Sequence, residues 1–463
     1  MSEIADMSEA AAILPAKVPL QQTERLSTSD IVIVLMFAIA LGGWSVKVPA
    51  PLVAGAQFWV VADLLLLPLY FLQRPGDFGL FFKLSSVTFI ILAAHMLLGV
   101  VTSGYGLEAR SLATAAVCSL FLGLTATFTI RKRNILRVLF MGLKLYIGAE
   151  LLAMVLDLAN IQLTDCSGFH FYPHYSLPLF RPVGLMCEPS HVALSLALPL
   201  FMMVAFPKIW REYFGAGWTA CTIAMFLLCP SGTMVGLLAV ALVVRVYRDI
   251  FRHARKIIAA IALFGILTYA FQGQIVAVAN SSSTLRPIVE RVTSLYQISQ
   301  GSGDFRRLTE SSVILATAMY VSYNSLFDHP LGLGYDRFIF ANYQYGGALA
   351  TEFILQKNAR DGTSLLPKML VEFGFLGVAL FAYIAVFLSR RFRSGEHKDL
   401  QILCAISWCL LLANTVRDAG YFTGAAILAV GFLIGAVLRF RHEEARAPRW
   451  RMAPISMDTR SQA

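Results

Sequence analysis

The sequence predicts an all-α, polytopic membrane protein with about twelve transmembrane helices. Three observations carry this. Of the 463 residues, 57% are hydrophobic and only 14% charged. Mean hydropathy is +0.67. Apolar blocks near the length of a bilayer crossing recur from Ile31 to Leu438, with Lys and Arg gathered in alternate connections. The net charge of +10 is mostly that alternation, so it is no sign of a nucleic-acid partner.

Residues 1–29 are polar and mildly acidic and lack the basic region and cleavage site of a signal peptide. They are predicted to form a cytoplasmic N-terminal tail, and the first apolar block is retained as a helix. The region 30–272 then holds nine blocks: 30–46, 52–72, 84–102, 111–130, 135–157, 190–206, 216–230, 232–247 and 256–272. Blocks 216–230 and 232–247 are short and meet at Pro230-Ser231-Gly232, which reads as a tight hairpin or as one long broken helix. Residues 364–438 hold three more blocks, 364–388, 400–415 and 419–438. The basic tail 439–463 is predicted to be cytoplasmic and to rest on anionic membrane lipid.

Basic clusters at Arg131, Lys132, Arg133 and Arg137, at Arg245 to Lys256, and at Arg390 to Lys398 mark the cytoplasmic connections. The intervening short ones carry a single cation each, among them Lys47 and Arg110. Both termini are therefore predicted in the cytoplasm. Two long outward segments interrupt the pattern, 159–189 and 273–363. A structureless loop of the second length is unusual, so helical content is expected. Within it, 304–327 reads as a helix, with Leu308, Leu315, Met319 and Leu326 on one stripe. A Pro/Gly-rich bend, DHPLGLGYDRF, follows, with Gly332 and Gly334 as turn glycines. No strand precedes its GxG, which removes a nucleotide-binding reading.

The seven cysteines form no CxxC pair, so the sequence offers no metal site and implies no cofactor. Cys166 and Cys187 share an outward segment and are able to pair in an oxidising compartment. The outward charges carry the chemistry: Arg181, Glu188 and His191 in the stretch RPVGLMCEPSH, Arg306, Arg307 and Arg360 in the long segment, and Arg417 beside Asp418. Topology depletes outward loops of arginine, so a retained set fits a diphosphate, which several fixed guanidinium groups can grip. Each arginine taken singly also fits snorkelling or a local ion pair. Glu188 has two readings, a carboxylate favoured near the N-terminus of a helix capped by Ser190, or a general base at the membrane surface. His191 is either structural or direct in its role. Inside the apolar blocks, Asp63, Lys144, Glu150 and Asp157 are candidates for a proton relay. Glu150 and Asp157 share a face, Lys144 points away from them, and Lys144 and Asp157 also lie near enough to helix ends to snorkel.

The ordered set of stretches resembles the O-antigen ligase and O-antigen polymerase superfamily, most closely its exopolysaccharide repeat-unit polymerases. The set is the RxxGxxxEPS pattern from Arg181 to Ser190, the Ser231-Gly232 turn, the Arg306/Arg307-led helix ending in FDHPLGLGYDRF, and LLPKMLVEFGFLG, in which Glu372 and Gly374 open the last motif. The resemblance implies a GT-C-like, metal-independent, inverting glycosyltransferase in the bacterial inner membrane. Its donor would be a glycan on undecaprenyl diphosphate, with a chain-length co-polymerase and a flippase as partners. Arg181, Arg306, Arg307, Arg360 and Arg417 would hold the diphosphate, with Glu188, Arg181 and His191 the catalytic residues. Ligases of the superfamily carry a His-Asn pair where this chain has Thr363-Ser364, which favours a polymerase over a ligase or protein O-oligosaccharyltransferase. A flippase or other transporter is a further alternative, though it would concentrate charge within its helices and show related halves.

Overall fold

The computed structural model of the protein describes residues 26–42, 58–104, 106–159, 161, 182, 184–186, 189–228, 232–247, 310–348, 364–391, 398–416 and 424–446. Among them the chain is all-helical, with no β-strand. In chain order the helices are α1 (Thr28–Gly42), α2 (Phe58–Gln73), α3 (Phe78–Ser103), α4 (Ala109–Arg131), α5 (Ile135–Leu158), α6 (Pro189–Ser195) and α7 (Ala197–Ala205). They continue with α8 (Pro207–Leu228), α9 (Gly232–Tyr247), α10 (Glu310–Asp328), α11 (Phe338–Tyr345), α12 (Leu365–Arg391), α13 (Lys398–Val416) and α14 (Gly424–Arg446). Block 256–272 lies outside the described residues. Among the described residues three helical segments, Pro75–Ser103, Ala109–Arg131 and Ile135–Leu158, have the length and apolarity to cross a membrane, and α1 and α2 are shorter apolar helices.

Three boundaries differ from the sequence reading. The block 190–206 is two helices, broken at Leu196. Pro199 has no N–H to donate to the Ser195 carbonyl, and its ring crowds that carbonyl, so the first helix stops there. The start of α6 is also shifted: Pro189 takes its first position, where a missing N–H costs nothing, and Ser190 lies inside the helix instead of capping it. Finally, α8 and α12 each contain a break, at Gly215 (φ 67°, ψ −173°) and Gly374 (φ 54°, ψ −143°). Pro230-Ser231 lies outside the described residues, and the chain on either side forms two separate helices, α8 and α9.

Close helix crossings build the bundle. Gly431 and Gly435 of α14 face Thr125 and Thr129 of α4 so tightly that an added Cβ on either glycine would lie 2.5 Å from a threonine Cβ. Small residues at such crossings let backbones approach where apolar bulk would hold them apart. Phe37 of α1 packs edge-on against Phe128 of α4 and Phe432 of α14, at centroid distances of 6.1 and 5.5 Å. One end of the bundle is tied by charge. Lys132 Nζ lies 2.6 Å from Asp30 Oδ1, Arg131 pairs with Asp77 at 3.3 Å, and Arg439 donates to the carbonyls of Thr129 and Lys132, each at 3.2 Å. These contacts gather the starts of α1 and α3 with the ends of α4 and α14. Along its length α3 presents an apolar face of Phe82, Ile90 and Val101, all exposed, as a lipid-facing helix does.

The helix read in the long segment is present as α10, and its stripe is half-buried at Leu315 and Leu326 and exposed at Met319. In α10, Met319 is 45% exposed, whereas Thr317, Ala318, Val321, Ser322 and Ser325 are buried; Leu308 lies outside the described residues. This helix packs on α12 through small residues. Ser322 Oγ satisfies its hydrogen-bonding locally on the Ala318 carbonyl at 2.6 Å, with the Pro367 carbonyl 3.2 Å away, which is why a polar residue fits a tight interface.

Candidate functional site

Arg181 and Glu188, together with Arg306, Arg307, Arg360, Arg417, Cys166 and Cys187, lie outside the described residues. The neighbours of the Arg181–His191 stretch are described, and they show what carries it. On α5, Tyr146, Glu150 and Met154 fall four residues apart and so form one stripe. All three are buried. The Leu185 N–H donates to Glu150 Oε2 at 3.3 Å. Gly184 sits directly on the carboxyl with φ +60°; a Cβ there would lie 2.4 Å from Glu150 Oε1 and 3.0 Å from Met154 Cγ. One turn away on α5, the Tyr146 hydroxyl donates to Ser195 Oγ, and that oxygen in turn donates to the Val192 carbonyl at 2.8 Å. The turn 184–186 and the short helix α6 are thus held from both ends by a single face of α5. His191, partly exposed on α6, has partners of its own.

The second motif-bearing region is the bend between α10 and α11 with the opening of α12. A break at Gly374 removes the helical partners of the carbonyls just before it, and buried carbonyls must find donors. The bend supplies them. Leu333 N–H donates to the Val371 carbonyl at 2.9 Å and Gly334 N–H to the Glu372 carbonyl at 3.0 Å, while Phe375 N–H donates back to the Pro330 carbonyl at 2.9 Å. Both predicted turn glycines have positive φ, 84° at Gly332 and 98° at Gly334. An added Cβ at Gly332 would lie 2.1 Å from the Glu372 carbonyl oxygen. The bend also lies flat on α3, where a Cβ on Gly99 would meet the Leu333 oxygen at 2.0 Å, and His95 stacks on Phe373 at 4.4 Å. The described part of the predicted outward segment is therefore packed, from Ala318 to Tyr345, into the helices around it.

Buried charge fastens this junction. Lys368 Nζ lies 3.6 Å from both Asp336 Oδ1 and Glu372 Oε1. Asp336 Oδ2 accepts from Ser111 Oγ at 3.1 Å, and Glu372 Oε1 accepts from the Phe338 N–H at 3.3 Å. Arg337, only 2% exposed, donates to the Gly106 carbonyl at 2.9 Å, just past the C-terminus of α3, where a cation is favoured. Burial holds the Tyr335 phenol well above its ordinary range, and the neighbouring Cys118 thiol, 3.2 Å away, adds to this. With Lys368 against two carboxylates and Arg337 on the Gly106 carbonyl, the cluster is suited to holding backbone in place.

No known protein family matches this chain, and no curated protein is significantly similar to it.

Of the residues named from the sequence, Glu372 and Gly374 are thus placed in a structural junction. The sequence reading missed Lys368, Asp336, Arg337 and Tyr335. A signal was present in Lys368 and Glu372, one helical turn apart in an apolar block, which is costly unless the two pair. Among the proposed relay groups, Glu150 lies under the 184–186 turn, Lys144 Nζ sits 5.5 Å above the Phe214 ring, and Asp63 lines a small cavity with Trp59, Phe121 and Phe128 that touches neither motif region.

Proposed function

We propose that the protein is a polysaccharide polymerase with about twelve transmembrane helices and a GT-C-like architecture, joining repeat units carried on undecaprenyl diphosphate at the periplasmic face of the bacterial inner membrane. The observation that carries this reading is the interlock of two stretches of the resembling set. FDHPLGLGYDRF and LLPKMLVEFGFLG, though separated by an intervening segment, are joined by three backbone hydrogen bonds between 330–334 and 371–375. Motifs that form one unit support a reading in which they act together.

In this scheme Arg181, with Arg306 or Arg307 and with Arg360 or Arg417, grips the donor diphosphate. The acceptor hydroxyl attacks the anomeric carbon, Glu188 takes its proton, and the bond to the diphosphate breaks with inversion. Preorganised guanidinium groups stabilise the charge that grows on the leaving group. His191 lies near the start of α6, close to Glu188 in sequence.

The test is incubation of the purified protein with its lipid-diphosphate repeat units in the absence of divalent cations, followed by gel analysis. A ladder spaced by one repeat is expected. Unchanged substrate with folded protein would move the reading to single transfer onto another acceptor, or to transport. Arg181→Ala and Glu188→Gln should each remove the ladder, and full activity in Glu188→Gln would reduce that residue to a helix-terminal role.

A further inference from the structure

We propose that Glu150 is a positioning residue for the reaction, holding the 184–186 turn that lies in sequence between Arg181 and Glu188. This rests on the reading of the Arg181–His191 stretch as the reacting site. Glu150 is fully buried and so does not meet substrate. Its contact is with backbone: Oε2 takes the Leu185 N–H, and Oε1 occupies the space that the missing Cβ of Gly184 leaves open. Among the described residues no basic side chain pairs with it.

Two further contacts make the geometry specific. Tyr146, four residues earlier on the same face, holds Ser195 at the far end of α6, and Met154, four residues later, packs beneath Gly184. Glu150 thus accepts from the turn and Tyr146 ties the far end of α6, while α6 also packs on α9, Ala193 and Leu194 clustering with Leu237 and Ala241. In sequence, Arg181 and Glu188 flank this turn closely on its two sides. A small misplacement of reacting groups by a remote change costs about 100-fold in rate. Loss of the Glu150 acceptor should therefore lower turnover while leaving the donor-binding arginines present.

The test uses full-length protein in lipid nanodiscs and three variants. Glu150→Met keeps the volume and removes the acceptor. Glu150→Gln keeps an oxygen for the Leu185 N–H. Gly184→Ala pushes the carboxyl aside by its new Cβ. Hydrogen exchange is followed on the peptide covering 182–192, and polymer formation is measured against donor concentration. Exchange in that peptide should be faster in Glu150→Met and Gly184→Ala and unchanged in Glu150→Gln. Turnover should fall at least about tenfold in the first two with KM for the donor nearly unchanged, and Glu150→Gln should recover most of it. Unchanged exchange in folded Glu150→Met overturns the positioning role. So does a Glu150→Gln variant as slow as Glu150→Met, or a defect carried by KM alone. If the parent protein makes no polymer at all, the functional reading fails, and the exchange experiment still decides whether Glu150 holds the turn.

Discussion

Glu150 and Glu372 are both fully buried, both accept a backbone N–H at 3.3 Å, and both lie against a glycine of positive φ. They differ in charge compensation. Glu372 has Lys368 one turn before it and shares that lysine with Asp336. Glu150, among the described residues, has a single N–H and no cation. A buried carboxylate with a cation belongs to a closed lock, and removal of one member strands the rest. A carboxylate without one is a costly feature that the fold retains, and such intramembrane acids are functional candidates by default. The difference separates a region that fastens the bundle from one that, in the proposed function, holds the turn beside the reacting residues.

The largest effect expected is at the lock's backbone. Gly332→Ala drives a Cβ against the Glu372 carbonyl and Gly374→Ala drives one against that of Pro330, at 2.1 and 2.2 Å, and in both cases the obstacle is main chain that has nowhere to move. Each variant should lose more than about 4 kcal/mol and yield no monodisperse protein on size-exclusion chromatography. Next comes Lys368→Met, which leaves two buried carboxylates facing each other. It should cost about 3–5 kcal/mol by thermal melting in detergent. Combining it with Glu372→Gln and Asp336→Asn should restore most of the loss, because no stranded charge remains; Asn suits the φ of 59° at position 336 as well as Asp does. Persistence of the full loss in the triple variant would break the description of this site as a charge lock.

Glu150→Met strands no partner cation among the described residues, so its melting temperature should move by the equivalent of about 1 kcal/mol or less. A loss as large as that of Lys368→Met would erase the distinction between the two glutamates. A loss of similar size, about 0.5–1.5 kcal/mol, is expected of Ser195→Ala, which removes the acceptor of the Tyr146 hydroxyl at the far end of α6.

Much of the helix layout was legible in the sequence. Blocks 111–130 and 135–157 match α4 and α5 within a residue or two, because a long apolar run bounded by charge has few alternatives. The buried face of α10 was not legible. Its Met319 and Phe327 are exposed, while Thr317, Ser322 and Ser325 are buried beside Ala318 and Val321, a mixed face that hydropathy does not single out. Where helices cross closely, burial is decided by which residues let backbones approach, and small polar ones do so. Gly332 and Gly334 were recognisable as turn residues, yet the turn's place against the break in α12 was not, since the two stretches meet only through main-chain atoms whose partners no local pattern names.

The sequence by itself determined that the chain is helical, apolar and basic in alternating connections, and that one short stretch gathers Arg181, Glu188 and His191. Only the tertiary structure decided which buried charges are answered, with Lys368 set between Asp336 and Glu372 and Glu150 set beneath Gly184. The reason is physical. Helical periodicity assigns a residue to a face through its near neighbours, whereas the worth of a buried charge depends on what reaches it from distant parts of the chain.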